Sequence, residues 1–160
     1  MPHTLKSTNQ ESSSDDESLN NDMGNVGIYD EELSVKILTI KVVGSKILND
    51  DGGSYAAYNI VTTLSNGKLW NVWRRYSEFT NFHSELKKEG VVGRPTMPQK
   101  KWLGNLEPEF INKRVKNLEA YLSDVLRMPQ GQTLFSLRNF LQPALRKDWP
   151  SAMGPIDLNV

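Results

Sequence analysis

The sequence predicts one α+β domain, in which a three-stranded antiparallel meander is packed against a helical subdomain with a proline-containing loop. Apolar residues alternate with a period of two up to about residue 75, and they then change to helical spacing. Asn66-Gly67 lies between two alternating runs and is a strong signal for a tight hairpin turn. The chain has 160 residues, enough for one domain with tails.

Three strands are predicted in the first half. The first covers 33–42, and its alternation changes parity between Ile37 and Leu38, so we expect a bulge or bend there. The segment Asp50-Asp51-Gly52-Gly53 is predicted to be a loop. The other two strands of the meander are predicted over 58–64 and 69–75.

The helical half begins with Ser77 as the expected N-cap of a helix that Gly90 closes. Residues 93–105 contain Gly, Pro and Lys without a period and predict a loop. Pro108 suits the first position of a long helix, which Pro129 and Gly131 end. A short last helix is expected over 134–141.

Both ends of the chain are predicted to be tails. Residues 1–31 are acidic and rich in serine, with too few apolar residues to offset the entropy of ordering, so we expect disorder. Ser12–Ser14 each have an acidic residue three positions later, which fits either an acid-directed phosphorylation site or a solvated polar tail. An irregular tail is predicted over 143–160, which leaves 32–142 as the folded domain.

Composition favours a cytosolic protein that is not an enzyme. The chain has no cysteine, no apolar run of membrane-spanning length and no signal-peptide core. His3 and His83 are the only histidines, so we predict no metal site, no cofactor and no nucleophile–base pair, with His83 packed or on the surface. The net charge is zero, but residues 1–30 carry −5 and the remainder +5. A basic body suits an anionic partner.

The first of three basic clusters lies where the third strand meets the helix, at Trp73-Arg74-Arg75-Tyr76-Ser77-Glu78-Phe79. Such a corner can place a guanidinium and an aromatic ring together at a pocket rim. Arginine offers forked donors that match phosphate, and Tyr76 offers a flat wall for a sugar or inositol ring. The alternative is an ordinary strand end at which an arginine pairs with Glu78.

The second cluster is the loop Arg94-Pro95-Thr96-Met97-Pro98-Gln99-Lys100-Lys101-Trp102-Leu103. Two lysines beside exposed Trp102 and Leu103 would suit a membrane-interface anchor. Alternatively, Trp102 packs into the core, or the Pro-x-x-Pro-x-Lys pattern is a ligand for an SH3 domain. The third cluster, Lys113-Arg114, lies early in the long helix, where Arg114 points inward or the pair lies on a solvated face.

Together, these clusters resemble the PX (phox-homology) family, sorting-nexin-like, over about residues 32–142. The order matches: a meander, the Arg-Arg-Tyr-Ser-Glu-Phe run, a helix, the proline loop and a long helix with an early arginine. The downstream pattern from Glu109 to Leu122, Glu-Phe-Ile-x-x-Arg-x-x-x-Leu-x-x-Tyr-Leu, adds specificity. The resemblance implies the PX fold, with a membrane loop that contains the prolines.

The resemblance also implies the role of each site residue. Arg75 matches the residue that holds a lipid 3-phosphate, and Tyr76 the aromatic that packs on the inositol ring. Lys100 matches the contact to the 1-phosphate, and Arg114 the residue that binds the 4- and 5-hydroxyls. The supporting residues are then basic Arg74 and Lys101 together with Trp102 and Leu103 for membrane insertion.

The implied function is that of an adaptor that binds phosphatidylinositol 3-phosphate and is recruited, as a peripheral cytoplasmic protein, to endosomal or vacuolar membranes. An alternative is a PX-fold scaffold for protein partners, with weak or different phosphoinositide preference. Nucleic-acid binding is not expected, because the basic residues cluster at a pocket and not along a stripe. The two tails are the expected places for protein partners.

Overall fold

A three-stranded antiparallel sheet and three α-helices make up residues 34–143, the part of the chain that the computed structural model describes. The tails predicted over 1–31 and 143–160 lie outside these residues, apart from Pro143. The elements in chain order are strands β1 (Ile37–Asp50), β2 (Gly53–Leu64) and β3 (Leu69–Arg75), helices α1 (Tyr76–Lys88) and α2 (Pro108–Arg127), a 3-10 turn (Gly131–Thr133) and helix α3 (Phe135–Leu141).

The sheet has the order β1-β2-β3, as the meander predicted. The register shifts between Ile37 and Thr39, which leaves Leu38 as the bulged residue, 56% exposed, while Ile37 and Ile40 are buried. The bulge therefore lies where the apolar alternation changes parity. A second shift, between Val42 and Gly44, leaves Val43 exposed.

The β1–β2 hairpin is longer than the sequence indicated. Asp50 pairs with Gly53, so only Asp51 and Gly52 remain in the turn. Gly53 has φ +108°, a conformation that glycine adopts at little cost. The second turn contains Asn66-Gly67 as predicted, and Gly67 has φ +80°.

The helices cover one face of the sheet. Their apolar sides meet alternate residues of the strands in one core, in which Tyr58, Phe79 and Leu118 are fully buried. The predicted start of the first helix was wrong by two residues: Tyr76 is its first residue, and Arg75 takes the N-cap position instead of Ser77. Gly90, at φ +85°, follows the end of α1 as expected.

Polar side chains from the C-terminal half attach the edge strand β1 to the helices. Gln132 accepts from the Ile37 backbone N–H at 2.9 Å and donates to its carbonyl at 2.8 Å. Glu119 accepts from the Val42 N–H at 2.9 Å, at the second register shift. These bonds satisfy backbone groups that an edge strand would leave free. None of the helices in residues 34–143 is long and apolar enough to cross a bilayer.

Candidate functional site

A cavity of about 310 Å³ opens where β2, the corner between β3 and α1, the loop after α1 and the first half of α2 meet. Its lining is neutral or cationic: Tyr55, Ala56, Tyr58, Arg75, Tyr76, Ser77, Thr80, Asn81, Lys100, Lys101, Asn105, Leu106 and Arg114. Residues from four separate segments thus converge on one cavity. They include the four assigned to a lipid headgroup and the supporting Lys101.

Arg75 lies at the strand-to-helix corner. Its backbone N–H donates to the Glu78 carboxylate at 2.9 Å, which closes the first turn of α1. Its guanidinium carbon lies 3.9 Å from the centre of the Tyr55 ring, and Nη1 donates to Asp50 at 2.8 Å. In the alternative of an ordinary strand end, an arginine would pair with Glu78; for Arg75 that contact involves only the backbone. The side chain remains 38% exposed and lines the cavity.

Tyr76 forms one wall of the cavity, and both its backbone and its hydroxyl are held in place. The first turn of α1 holds the backbone, and the hydroxyl donates to the Pro98 carbonyl at 2.5 Å. This bond also attaches the proline loop to α1. The ring thus has a fixed orientation, as a wall against a flat ligand requires.

Arg114 points inward and is only 5% exposed. Its guanidinium carbon lies 4.2 Å from the ring centre of Tyr76 and 4.4 Å from that of Phe110, and Nη2 donates to the Gln99 carbonyl at 2.8 Å. Burial raises the pKa of the neighbouring Tyr58 hydroxyl, and the positive charge of Arg114 opposes that rise. The solvated-face alternative is thus excluded for Arg114.

The two loop lysines are exposed, and each lies over an aromatic ring. Nζ of Lys100 is 3.7 Å from the Trp102 ring centre, and Nζ of Lys101 is 4.6 Å from that of Phe110. Both lysines line the cavity. A cation over a ring face gains electrostatic energy, so these contacts direct the ammonium groups even without a bound anion.

Trp102 and Leu103 lie outside the core. Trp102 is 78% exposed and Leu103 is 85% exposed. The alternative in which Trp102 packs into the core was therefore wrong. Two adjacent large apolar residues at a loop tip beside the cavity form an apolar projection, which suits an interface with lipid or protein.

Arg74 is positioned differently from its neighbour. It is 5% exposed, and Nε donates to the Phe140 carbonyl at 2.9 Å. Nη2 reaches the Gln142 carbonyl at 3.3 Å. Successive residues of a strand face opposite ways, so Arg74 anchors the end of α3 while Arg75 reaches the cavity. The structure therefore does not place Arg74 in the site as a supporting basic residue.

Three further residues belong to the site, although the sequence did not indicate a role for them. Tyr55 lies under Arg75, Asp50 binds its edge, and Phe110 lies beside Arg114 and Lys101. Tyr55 and Asp50 come from the hairpin whose length was underestimated. Phe110 lies within the pattern that carried the family resemblance, which is the signal that would have identified it.

Within residues 34–143, His83 is the only histidine, and its ring contacts a tyrosine. His83 is half-buried, and its Nδ1 lies 2.7 Å from the Tyr121 hydroxyl. Burial lowers the pKa of His83, and the charge of Arg94 adds to that effect. Within residues 34–143, no three His, Asp or Glu side chains lie together as potential metal ligands.

Comparisons with curated proteins find sorting nexins and a kinase. The chain is 35% identical to human sorting nexin-13 over 85 residues, which are 50% of this chain and 9% of that protein. It is 26% identical to mouse sorting nexin-16 over 104 residues, 64% of this chain and 30% of that protein. It is 29% identical to the rat serine/threonine-protein kinase Sgk3 over 89 residues, 55% of this chain and 18% of the kinase. Each match thus spans a minor part of the relative.

Solved structures agree with this fold. A designed CISK-PX domain superposes with a TM-score of 0.59 at 25% identity and covers 66% of this chain and 99% of that one. The PX domain of mouse SNX19, whose structure contains a bound sulphate ion, has a TM-score of 0.53 at 21% identity and covers 67% of this chain and 97% of that one. The α+β fold predicted from the sequence is confirmed. A family profile described as PX domain matches residues 62–144, more than half of the chain. The chain belongs to the PX domain family.

Proposed function

We propose that this protein is a membrane-recruitment adaptor that binds phosphatidylinositol 3-phosphate. One observation carries the proposal: Arg75, Tyr76, Lys100 and Arg114, from three separate segments of the chain, line a single cavity beside the exposed Trp102-Leu103 tip. Membership of the PX domain family supports phosphoinositide binding in general. The choice of the 3-phosphate lipid depends on the presence of all four residues together.

The cavity supplies a reason for that choice. The guanidinium of Arg75 is partly exposed and can donate to a phosphate, while the Tyr76 ring offers a wall for the inositol. Arg114 is buried and lines the same cavity, where it can donate to hydroxyls. Tight packing around Arg114 leaves little room for additional phosphates, so lipids with 4- or 5-phosphates would be disfavoured.

The exposed loop tip would provide a second anchor. Trp102 and Leu103 would enter the interfacial layer while the cavity holds the headgroup, so two weak contacts act on one membrane. On this proposal the protein is cytoplasmic, peripheral on endosomal or vacuolar membranes, and recruits partners through its tails without being an enzyme. The match to a kinase covers only 18% of that relative and gives no reason to propose catalysis.

The proposal is tested by liposome co-sedimentation over a panel of all phosphoinositides. We expect selective binding to phosphatidylinositol 3-phosphate, and Arg75→Ala should lower its affinity roughly tenfold or more because a charge-assisted phosphate contact is lost. Arg127→Ala is the matched control, since it removes a 73% exposed arginine of α2 that does not line the cavity. Binding without headgroup preference would instead favour the protein-scaffold function.

A further inference from the structure

The β1–β2 hairpin makes two contacts with Arg75 that differ in kind. The Tyr55 ring covers one face of the guanidinium, 3.9 Å from its carbon atom, and Oδ2 of Asp50 accepts from Nη1 at 2.8 Å. Tyr55 lines the cavity, whereas Asp50 does not. The carboxylate therefore contacts Arg75 from outside the cavity, at the edge of the guanidinium.

The contacts with Tyr55 and Asp50 leave one edge of the Arg75 guanidinium available to donate hydrogen bonds. Among residues 34–143, Nε and Nη2 of Arg75 make no hydrogen bond to protein atoms. Arginine can bind a phosphate through two adjacent N–H groups, and the Nε–Nη2 edge is one such pair. A phosphate does not have to displace Asp50 to use that edge.

The hairpin turn holds the Asp50 carboxylate in place. Asp50 pairs with Gly53 as the last residue of β1, and its Oδ1 accepts from the Gly52 N–H at 2.9 Å. One carboxylate oxygen is thus bound to the turn, and the other is bound to Arg75. The two side chains are 41% and 38% exposed, so the ion pair by itself contributes little to folding.

We propose that Asp50 is a positioning residue for phosphate recognition: with Tyr55 it holds Arg75 so that the free edge of the guanidinium faces the cavity. This inference rests on the proposed function and adds the hairpin to its binding site. Arginine loses much rotamer freedom when it binds, and a side chain ordered beforehand loses less. Simple charge counting predicts the opposite effect, because a carboxylate near an anion site repels the ligand.

The Asp50→Asn variant of the full chain tests this inference. Asparagine keeps the oxygen that accepts from Gly52 and places an NH2 group toward Arg75, so the turn is preserved and the Arg75 contact is lost. We expect the affinity for phosphatidylcholine vesicles that contain phosphatidylinositol 3-phosphate to fall about three- to tenfold. The thermal unfolding midpoint should stay within a degree or so of the parent, since the pair is exposed.

Asp51→Asn is the matched control, because it removes the same charge from the adjacent, exposed residue of the turn. Its affinity should equal that of the parent or exceed it slightly. In an Arg75→Ala background, Asp50→Asn should have no further effect, which a merely structural role would not produce. The two asparagine variants should have equal affinity for phosphatidylserine vesicles.

The outcomes distinguish this inference from the proposed function. If the parent protein binds no phosphoinositide, the proposed function fails. If the parent binds but Asp50→Asn binds as tightly as Asp51→Asn, or more tightly, then Asp50 does not position Arg75 and the inference is overturned. A loss that persists in the Arg75→Ala background would overturn it as well.

Discussion

Two adjacent arginines have different roles: one stabilises the fold and the other lies at the binding cavity. Arg74 is buried and binds the backbone carbonyls of Phe140 and Gln142, whereas Arg75 is partly exposed at the cavity. The dipeptide alone identifies a basic corner. Which arginine faces the core depends on the strand register, in which Arg74 pairs with Tyr58 and Arg75 with Ala57.

Arg74→Ala should destabilise the fold, while Arg75→Ala should not. Removing the Arg74 guanidinium takes its donor from the buried bond to the Phe140 carbonyl, which we expect to lower the free energy of unfolding by about 2–4 kcal/mol. Urea denaturation followed by far-UV circular dichroism measures both variants. Equal stability of the two would contradict the structural role of Arg74.

At the scale of elements, the turn that joins α2 to α3 depends on a glycine. A Cβ atom on Gly131 would lie 2.0 Å from the Leu126 carbonyl oxygen and 2.8 Å from that of Val125. These are backbone atoms of α2, and they cannot move without opening its last turn. No residue with a side chain fits between the helix end and the 3-10 turn.

Gly131→Ala should therefore cost about 3 kcal/mol or more in the free energy of unfolding. Thermal unfolding by calorimetry measures the change. Gly44→Ala is the matched control, because a Cβ there meets no atom within 4 Å. A Gly131→Ala protein as stable as this control would show that the helix end moves easily.

Periodicity predicted most elements but not their full lengths. The positions of β3, α2 and α3 followed from apolar spacing, whereas the β1–β2 hairpin extends past Val42 to Asp50. The added residues of β1 are mostly exposed, and backbone hydrogen bonds to β2 hold them in the sheet. Because few of them are buried, they show no apolar alternation from which a strand could be predicted. Asp50 and Tyr55 were missed for the same reason. The 3-10 turn was missed because three residues are too few to show a period.

At the scale of the whole molecule, the cavity and the loop tip are joined through the loop stem. The carbonyls of Pro98 and Gln99 accept from Tyr76 and Arg114, so the residues that line the cavity also hold the base of the loop. The tip itself projects freely, with Trp102 and Leu103 exposed. The two proposed anchors can therefore be weakened separately.

Trp102→Ala should reduce vesicle binding roughly tenfold, because an exposed aromatic side chain no longer enters the interfacial layer. Binding of soluble inositol 1,3-bisphosphate should fall less, by about two- to threefold, since Trp102 does not line the cavity and affects it only by orienting Lys100. Phe135→Ala is the control, as it removes another exposed aromatic, beside a separate cavity between α1 and α3. Equal losses for both ligands, measured by calorimetry, would contradict the separation.

The exposed position of the Trp102 ring allows its fluorescence to report binding of the protein to a membrane. Indole emission shifts to shorter wavelength when water leaves the ring, and Trp102 is exposed, whereas Trp70 and Trp73 are already half-buried in the sheet. Among the three tryptophans of residues 34–143, contact with lipid would thus change chiefly the emission of Trp102. A comparison with Trp102→Phe isolates that signal, so the kinetics of recruitment can be followed without a label.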